Sequence, residues 1–247
     1  MYVGLDVGGT NLKAGLVDGA GRLLAARAVP LGEYRGEDAF VRTLAALAEQ
    51  TARDAGARPE HLEYVGMGIP GATADGKVLY TCNIPLQNVP LEKLFRQYLD
   101  VPVLLENDAN CAAVGEYFCG AGRGTKNFAV VTLGTGVGGG FILDGKLYAA
   151  GGMAGEVGHM VVVKGGAPCS CGRRGCWEAY ASATGLIRMT REVMEQNPRS
   201  LLFEESAGGG AVTGRTAFAA AARGDEAAKA LCGTYVEYVA AGVVNLL

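Results

Sequence analysis

The pattern of apolar and polar positions divides the chain into a strand-rich first part and a helix-rich end. Apolar runs at 2–6, 11–18 and 22–29 are separated by Gly8-Gly9 and by the glycines of 19–21, which predicts three strands joined by tight turns. The period then changes: within 37–54, Phe40, Leu44, Leu47 and Ala52 fall on or near one helical face. Residues 64–69 predict a short buried strand ended by Pro70-Gly71. A loop holding Pro85 and Pro90 follows, then a helix near 91–98 and a strand at 101–105. Residues 128–133 and 138–143 predict a second strand pair about a glycine turn, with 146–148 as a third strand. The order strand, glycine hairpin, strand, strand therefore occurs twice, as a duplication of pattern and not of residues.

Helical stretches are predicted at 178–195, 215–222 and 225–247, with Asp225 as N-cap of the last. The first half has five predicted strands and the second at most three, and the pattern stops at a helix end, Asn245-Leu246-Leu247. The expectation is an α/β chain of two lobes whose second lobe lacks its last strands. Val236, Val239, Val243 and Leu246 would then form an apolar stripe with nothing packed on it.

Bulk properties narrow the classes of function. With 247 residues, 49% hydrophobic and 19% charged, the chain can bury a large core and is not a disordered segment. A net charge of −3 with no block of Lys or Arg gives no footprint for a nucleic-acid backbone. The apolar run at 236–247 is shorter than the roughly 20 residues of a membrane span. No signal-peptide pattern precedes Tyr2-Val3, so a cytoplasmic, reducing compartment is expected, with Cys82, Cys111, Cys119 and Cys232 as free, buried thiols. Thirty-nine glycines clustered in loops point to backbone that approaches a ligand closely.

Three segments carry candidate chemistry. His159, Cys169, Cys171 and Cys176 lie within eighteen residues, and they supply the four ligands of a closed tetrahedral zinc site. The other reading is three buried or disulfide-forming cysteines beside an unrelated histidine. Three Cys in eight residues, in a chain with two His, favours the metal. Glu156 and Glu178 bracket these ligands.

Second, Asp6-Val7-Gly8-Gly9-Thr10-Asn11 joins two strands through a hairpin whose bare backbone could admit phosphate oxygens. Asp6 could hold Mg²⁺ through water, and Thr10 and Lys13 could meet phosphate. Alone, this could equally be an ordinary turn. A second hairpin with Gly134, Thr135, Gly136 and Gly138 in the matching place favours a phosphate clamp formed by two lobes. Neither hairpin has the P-loop spacing.

Third, Glu106-Asn107-Asp108-Ala109-Asn110 follows a buried strand, where α/β proteins place catalytic groups. Asp108 could act as general base, with Asn107 orienting the same ligand. Alternatively Asp108 caps a helix, and both roles hold only if Asn107 supplies the cap.

With these motifs, the chain resembles the ROK family of sugar kinases and repressors across residues 1–247. The resemblance implies the two-lobed hexokinase–actin type of ATPase fold, with 1–106 as a small lobe bearing the first phosphate hairpin and 107–247 as a larger lobe. Asp6 to Thr10 is similar to the family's first phosphate motif and Gly134 to Gly140 to its second. Asp108 occupies the place of the catalytic aspartate. The segments Gly155-Glu156-Val157-Gly158-His159 and Cys169 to Glu178 match the family's metal and sugar signature.

Asn107, Asp108, Glu156, His159 and Glu178 are implied to face sugar hydroxyls, with Gly68 and Asn83 in a loop covering the sugar. Gly8, Gly9, Thr10, Asn11, Lys13, Gly134, Thr135, Gly136 and Gly138 are implied to hold ATP with Mg²⁺, beside structural Zn²⁺. A homodimer or higher homo-oligomer is expected, with no nucleic-acid or membrane partner, since the helix-turn-helix of family repressors has no counterpart here. Family members continue past the region of Asn245 into a further strand that helps bind adenosine, so these 247 residues are expected to bind sugar at best weakly and ATP poorly, although the phosphate hairpins are intact.

The reading that follows is an ATP-dependent glucokinase, since an all-Cys trio with one His resembles the glucokinase branch. The alternatives are an N-acetylglucosamine or N-acetylmannosamine kinase, and a sugar-sensing regulator without catalysis. The regulator reading would go with loss of Asp108 or the hairpins, and both are present.

Overall fold

The computed structural model describes residues 1–81, 84–149, 154–208 and 210–247. Their contacts divide the chain into two units, Met1–Val130 with Gly140–Gly155, and Val131–Gly139 with Glu156–Leu247.

In the first unit, β1 (Tyr2–Val7), β2 (Asn11–Val17) and β3 (Leu23–Pro30) form an antiparallel meander. Val3, Leu5 and Val7 alternate with outward-facing Gly4 and Asp6, and Leu12, Ala14 and Leu16 do the same on β2. Helix α1 (Glu37–Asp54) covers the apolar face with Phe40, Val41, Leu44, Leu47 and Ala48. This is the period-two strand packed on a period-3.6 helix that the sequence pattern describes. Strand β4 (Tyr64–Ile69) then joins β1 in parallel.

Where a loop was expected after β4, β5 (Gly71–Ala74), β6 (Lys77–Thr81) and β7 (Gln87–Val89) form a small antiparallel sheet. Its hairpin turns at Asp75-Gly76, both with positive φ, and that dipeptide was the available signal. After α2 (Leu91–Phe95), β8 (Val103–Asn107) pairs parallel with β4. It starts later than expected because Pro102 has no N–H for the ladder. The resulting sheet has the order β3-β2-β1-β4-β8. Helix α3 (Asp108–Cys119) packs on β4 and β8, so residues past Glu106 group with the first unit by contact.

β9 (Phe128–Leu133), β10 (Val137–Leu143) and β11 (Lys146–Leu147) form a three-stranded sheet in the order β11-β10-β9, the repeat of the β1–β3 meander expected from the pattern. In the second unit, the helix expected over 178–195 breaks into α4 (Glu178–Ala181) and α5 (Ala183–Gln196). Ser182 is extended, and its hydroxyl accepts the Gly185 N–H at 2.9 Å as N-cap of α5. After the short α6 (Leu202–Glu205), α7 (Thr216–Ala222) and α8 (Glu226–Val244) pack with α5 around Leu186, Met189, Leu202, Ala217, Ala220 and Leu231. Val236 and Val243 of the expected stripe are exposed, and Val239 and Leu246 are half-buried. No described helix is long and apolar enough to cross a membrane.

Candidate active site and metal centre

Three parallel neighbours bring one set of site residues into line. Asp6 of β1 is in register with Gly68 of β4, and Gly68 with Glu106 of β8. The row lies at the carboxyl ends of the strands, where parallel sheets present their ligand-binding groups. The resemblance implied a covering loop for Gly68, but the residue sits inside the sheet, paired in register on both sides. Its neighbour Gly71 opens β5, and Asn83 falls outside the described residues. The Gly68 Cα faces α3, where a Cβ would stand 3.3 Å from the Asp108 Cα.

Asn107 is the N-cap of α3: its side-chain oxygen accepts the N–H groups of Ala109 and Asn110 at 2.9 and 3.2 Å. Its amide donates to the Gly71 carbonyl at 3.3 Å. Asp108 is thereby relieved of capping, opens the helix on its exposed side, and also accepts the Ala109 N–H at 2.9 Å. Beneath it, the half-buried thiol of Cys111 is pushed up to about 12, first by burial and then by Glu106, Asp108 and Asp6. Asp6 and Asp108 thus share one acidic neighbourhood. Glu106, to which the sequence assigned no role, accepts the Asn107 N–H at 2.7 Å and the Asn110 amide at 3.0 Å.

The first hairpin is closed by the Gly8 N–H on the Asn11 carbonyl at 3.0 Å, leaving Gly9 and Thr10 exposed at its tip. Lys13 lies opposite Asp6 across β1–β2, with its ammonium 3.0 Å from the carboxylate.

In the second hairpin, the Gly134 N–H meets the Gly136 carbonyl at 3.0 Å, and Gly138 lies within β10. This turn is anchored from outside. The Gly134 carbonyl accepts the Ala183 N–H and the Thr135 carbonyl accepts the Thr184 hydroxyl, both at 2.8 Å. Glu178 Oε2 accepts the Val137 N–H at 3.0 Å.

The cysteine loop brings all four expected ligands together, with the ligand atoms of His159, Cys169, Cys171 and Cys176 within 4.8 Å of one another. Cys169 Sγ is 3.6 Å from His159 Nδ1, and Cys171 Sγ is 3.7 Å from Cys176 Sγ. Zn–S bonds of ~2.3 Å in a tetrahedron put sulfurs about 3.8 Å apart, so the donor set fits a tetrahedral zinc ion. At 3.7 Å the last two sulfurs are also too far apart for a disulfide.

Cys171 is drawn down to about 6, by the Arg173 N–H and then by its guanidinium. Cys176 is pushed up to about 12, first by burial and then by Cys171. The Arg173 guanidinium also donates to the His159 carbonyl at 3.0 Å.

Nδ1 of His159 faces the cysteines, which leaves Nε2 pointing at Glu156 Oε2, 3.6 Å away. On the other flank, Glu178 Oε1 is 3.1 Å from the Ser170 hydroxyl that donates to it and 3.8 Å from Cys169 Sγ. Both bracketing carboxylates therefore converge on the ligand cluster. Ser170 was missed by the sequence reading, although its place between two ligand cysteines was the available signal. The other cysteines are free, but Cys119, at the last position of α3, is exposed and not buried; Cys111 and Cys232 are half-buried. Cys82 falls outside the described residues.

The fold and these motifs have counterparts of known kind. The ROK family profile matches residues 2–247. A glucokinase from Halalkalibacterium halodurans is 35% identical over 99% of this chain and 76% of its own length. The crystal structure of a ROK family glucokinase from Streptomyces griseus in complex with glucose and AMPPNP superposes with a TM-score of 0.86 at 35% identity, covering 99% of this chain and 78% of that one. The family's other roles are also represented. The N-acetylgalactosamine kinase AgaK of a Shewanella species is 37% identical over 79% of this chain and 65% of its own. The xylose repressor of Caldicellulosiruptor bescii is 31% identical over 78% of this chain and 49% of its own. Residues 2–247 and the α/β fold they build belong to the ROK family, and within it they have the fold of its glucokinases.

Proposed function

We propose that the protein is an ATP-dependent hexose kinase that phosphorylates the 6-hydroxyl of glucose. The observation that carries this reading is the convergence of Glu156 and Glu178 on a four-ligand cluster, which gathers at one loop two carboxylates able to accept hydrogen bonds from sugar hydroxyls. His159, Cys169, Cys171 and Cys176 would hold zinc and fill its four positions, so the ion would fix that loop rather than react. His159, held through Nδ1, presents Nε2 to a sugar hydroxyl. Asn107, Glu156 and Glu178 supply further donors and acceptors for the ring hydroxyls, and Gly68 and Asn83 belong to the same proposed sugar site on the family resemblance alone.

Asp108 takes the proton of the attacking hydroxyl as general base. Mg²⁺-ATP supplies the phosphoryl group. Transfer then depends on positioning and charge neutralisation more than on covalent help. The phosphates are held by the hairpin residues Gly8, Gly9, Thr10, Asn11, Gly134, Thr135, Gly136 and Gly138. Lys13 is engaged with Asp6, but both side chains are exposed, and such a pair holds weakly enough for a phosphate and a metal to separate it. Asp6 would then face the Mg²⁺ hydration shell.

Sugar-dependent release of ADP across glucose, mannose, fructose and N-acetylated hexosamines tests the reading. Glucose should give the highest kcat/KM. A preference for an N-acetylhexosamine, favoured by the likeness to the Shewanella kinase, would move the substrate to amino sugars. Hexose binding with no ADP release would favour a sensing regulator.

A further inference from the structure

We propose that Glu178 is a tie between the metal loop and the second glycine hairpin, that Ser170 is the positioning residue setting it, and that sugar binding orders the hairpin through it. The sugar arm of this inference rests on the kinase reading; the tie itself rests on distances alone.

The two oxygens of Glu178 face in different directions. Oε1 accepts the Ser170 hydroxyl at 3.1 Å, and Oε2 accepts the Val137 N–H at 3.0 Å. Ser170 lies between Cys169 and Cys171, so its position follows the ligand cluster. The carboxylate is packed against the hairpin itself: a Cβ on Gly136 would overlap Oε2, so a side chain there would push the carboxylate aside. One arm of the hairpin is already pinned to the start of α5 through Gly134 and Thr135. Glu178 holds the other arm at Val137, which makes it the side chain that closes the turn.

A carboxylate has about four acceptor sites, and these two hydrogen bonds leave room for sugar hydroxyls on the same oxygens. A sugar donating there restrains the carboxylate, and with it Val137. The ordering is then made before a phosphate arrives, which is positive coupling between two ligands through a shared rigid element.

Hydrogen–deuterium exchange of the zinc-loaded chain over residues 133–140 tests this. Glucose should slow exchange there. Without sugar, Ser170→Ala should keep its zinc, speed that exchange roughly tenfold, the scale of one lost charge-assisted hydrogen bond, and lose the glucose effect. Ser170→Thr, which keeps the hydroxyl, should restore both. Exchange like the wild type in zinc-replete Ser170→Ala would overturn the proposal. Should that variant lose zinc, Glu178→Ala decides, because all four ligands remain: unchanged exchange in it overturns the tie. Glucose that binds by calorimetry yet leaves the segment unaltered also overturns the coupling. If no hexose binds but the variants still speed exchange, the kinase reading falls and the tie stands.

Discussion

At the residue scale, the division of labour between Asn107 and Asp108 decides what the first half of the site can do. A capping carboxylate has its lone pairs committed to backbone N–H groups, whereas a base must keep one for the substrate. Asn107 takes the Ala109 and Asn110 N–H groups, and its amide reaches back to Gly71. Asp108→Asn should therefore preserve the helix and much of the sugar affinity while lowering kcat by roughly 10²-fold or more, measured as glucose-dependent ADP release. Turnover near the wild-type value would remove Asp108 from the role of base. Asn107→Ala differs in kind: losing the cap should cost about 1 kcal/mol in denaturant unfolding as well as activity. The sequence showed that one of two adjacent polar residues had to cap, and left open which. Deciding it takes side-chain direction, which the string of residue types does not contain. Ser170 was hidden for the same reason, since its partner Glu178 is eight residues away and the turn between them is set by the ligand cluster.

At the element scale, the long runs were legible and the short or broken ones were not. The strands of the meander and α1 announce themselves by period, but β5–β7 are three to five residues each and interrupted by Gly and Pro, too short for alternation to show. The break at Ser182 was concealed because α4 and α5 together keep helical composition while one extended residue turns the chain.

The start of α8 was read correctly. Asp225 Oδ1 accepts the Ala228 N–H and Oδ2 accepts the Leu201 N–H, both at 2.8 Å, so one side chain caps α8 and ties it to the approach of α6. Burial pushes its carboxyl up, but the N–H groups of Ala228 and Leu201 and the Ser200 hydroxyl outweigh it and leave the group below the usual carboxylate range. A lowered folded value means that the stabilisation is fully present above the unfolded value of about 3.9 and is lost as pH falls through the folded value. Asp225→Ala should lower stability by about 1 kcal/mol at pH 7, and the difference from wild type should shrink in acid, read by urea unfolding at several pH values. A gap that stays constant into acid would show that the charged cap is not its source.

At the scale of the whole molecule, the family was legible because its motifs are local in sequence: the two hairpins, the strand-end carboxylates and the cysteine loop each fit within about twenty residues. The register that aligns Asp6, Gly68 and Glu106 is not local, and it waited for the pairing of β1, β4 and β8. Elemental analysis should find one zinc per chain, and stripping it with a strong chelator should abolish sugar binding along with the metal, since Glu156 and His159 are held by the same loop. Full sugar affinity in metal-free protein would separate the two.

Trp177 connects that loop to α8. It is fully buried between Cys176 and Glu178, its indole N–H donates to the Tyr238 carbonyl at 2.7 Å, and its ring lies on Gly242 so closely that any side chain there would overlap it. It is also the chain's single tryptophan. The protein therefore carries its own optical reporter, with one fluorophore flanked by Cys176 of the four-residue cluster and by Glu178. Its emission should shift to the red when zinc is removed and respond to glucose at micromolar protein with no label attached, so that metal occupancy and sugar binding can be titrated on one spectrum.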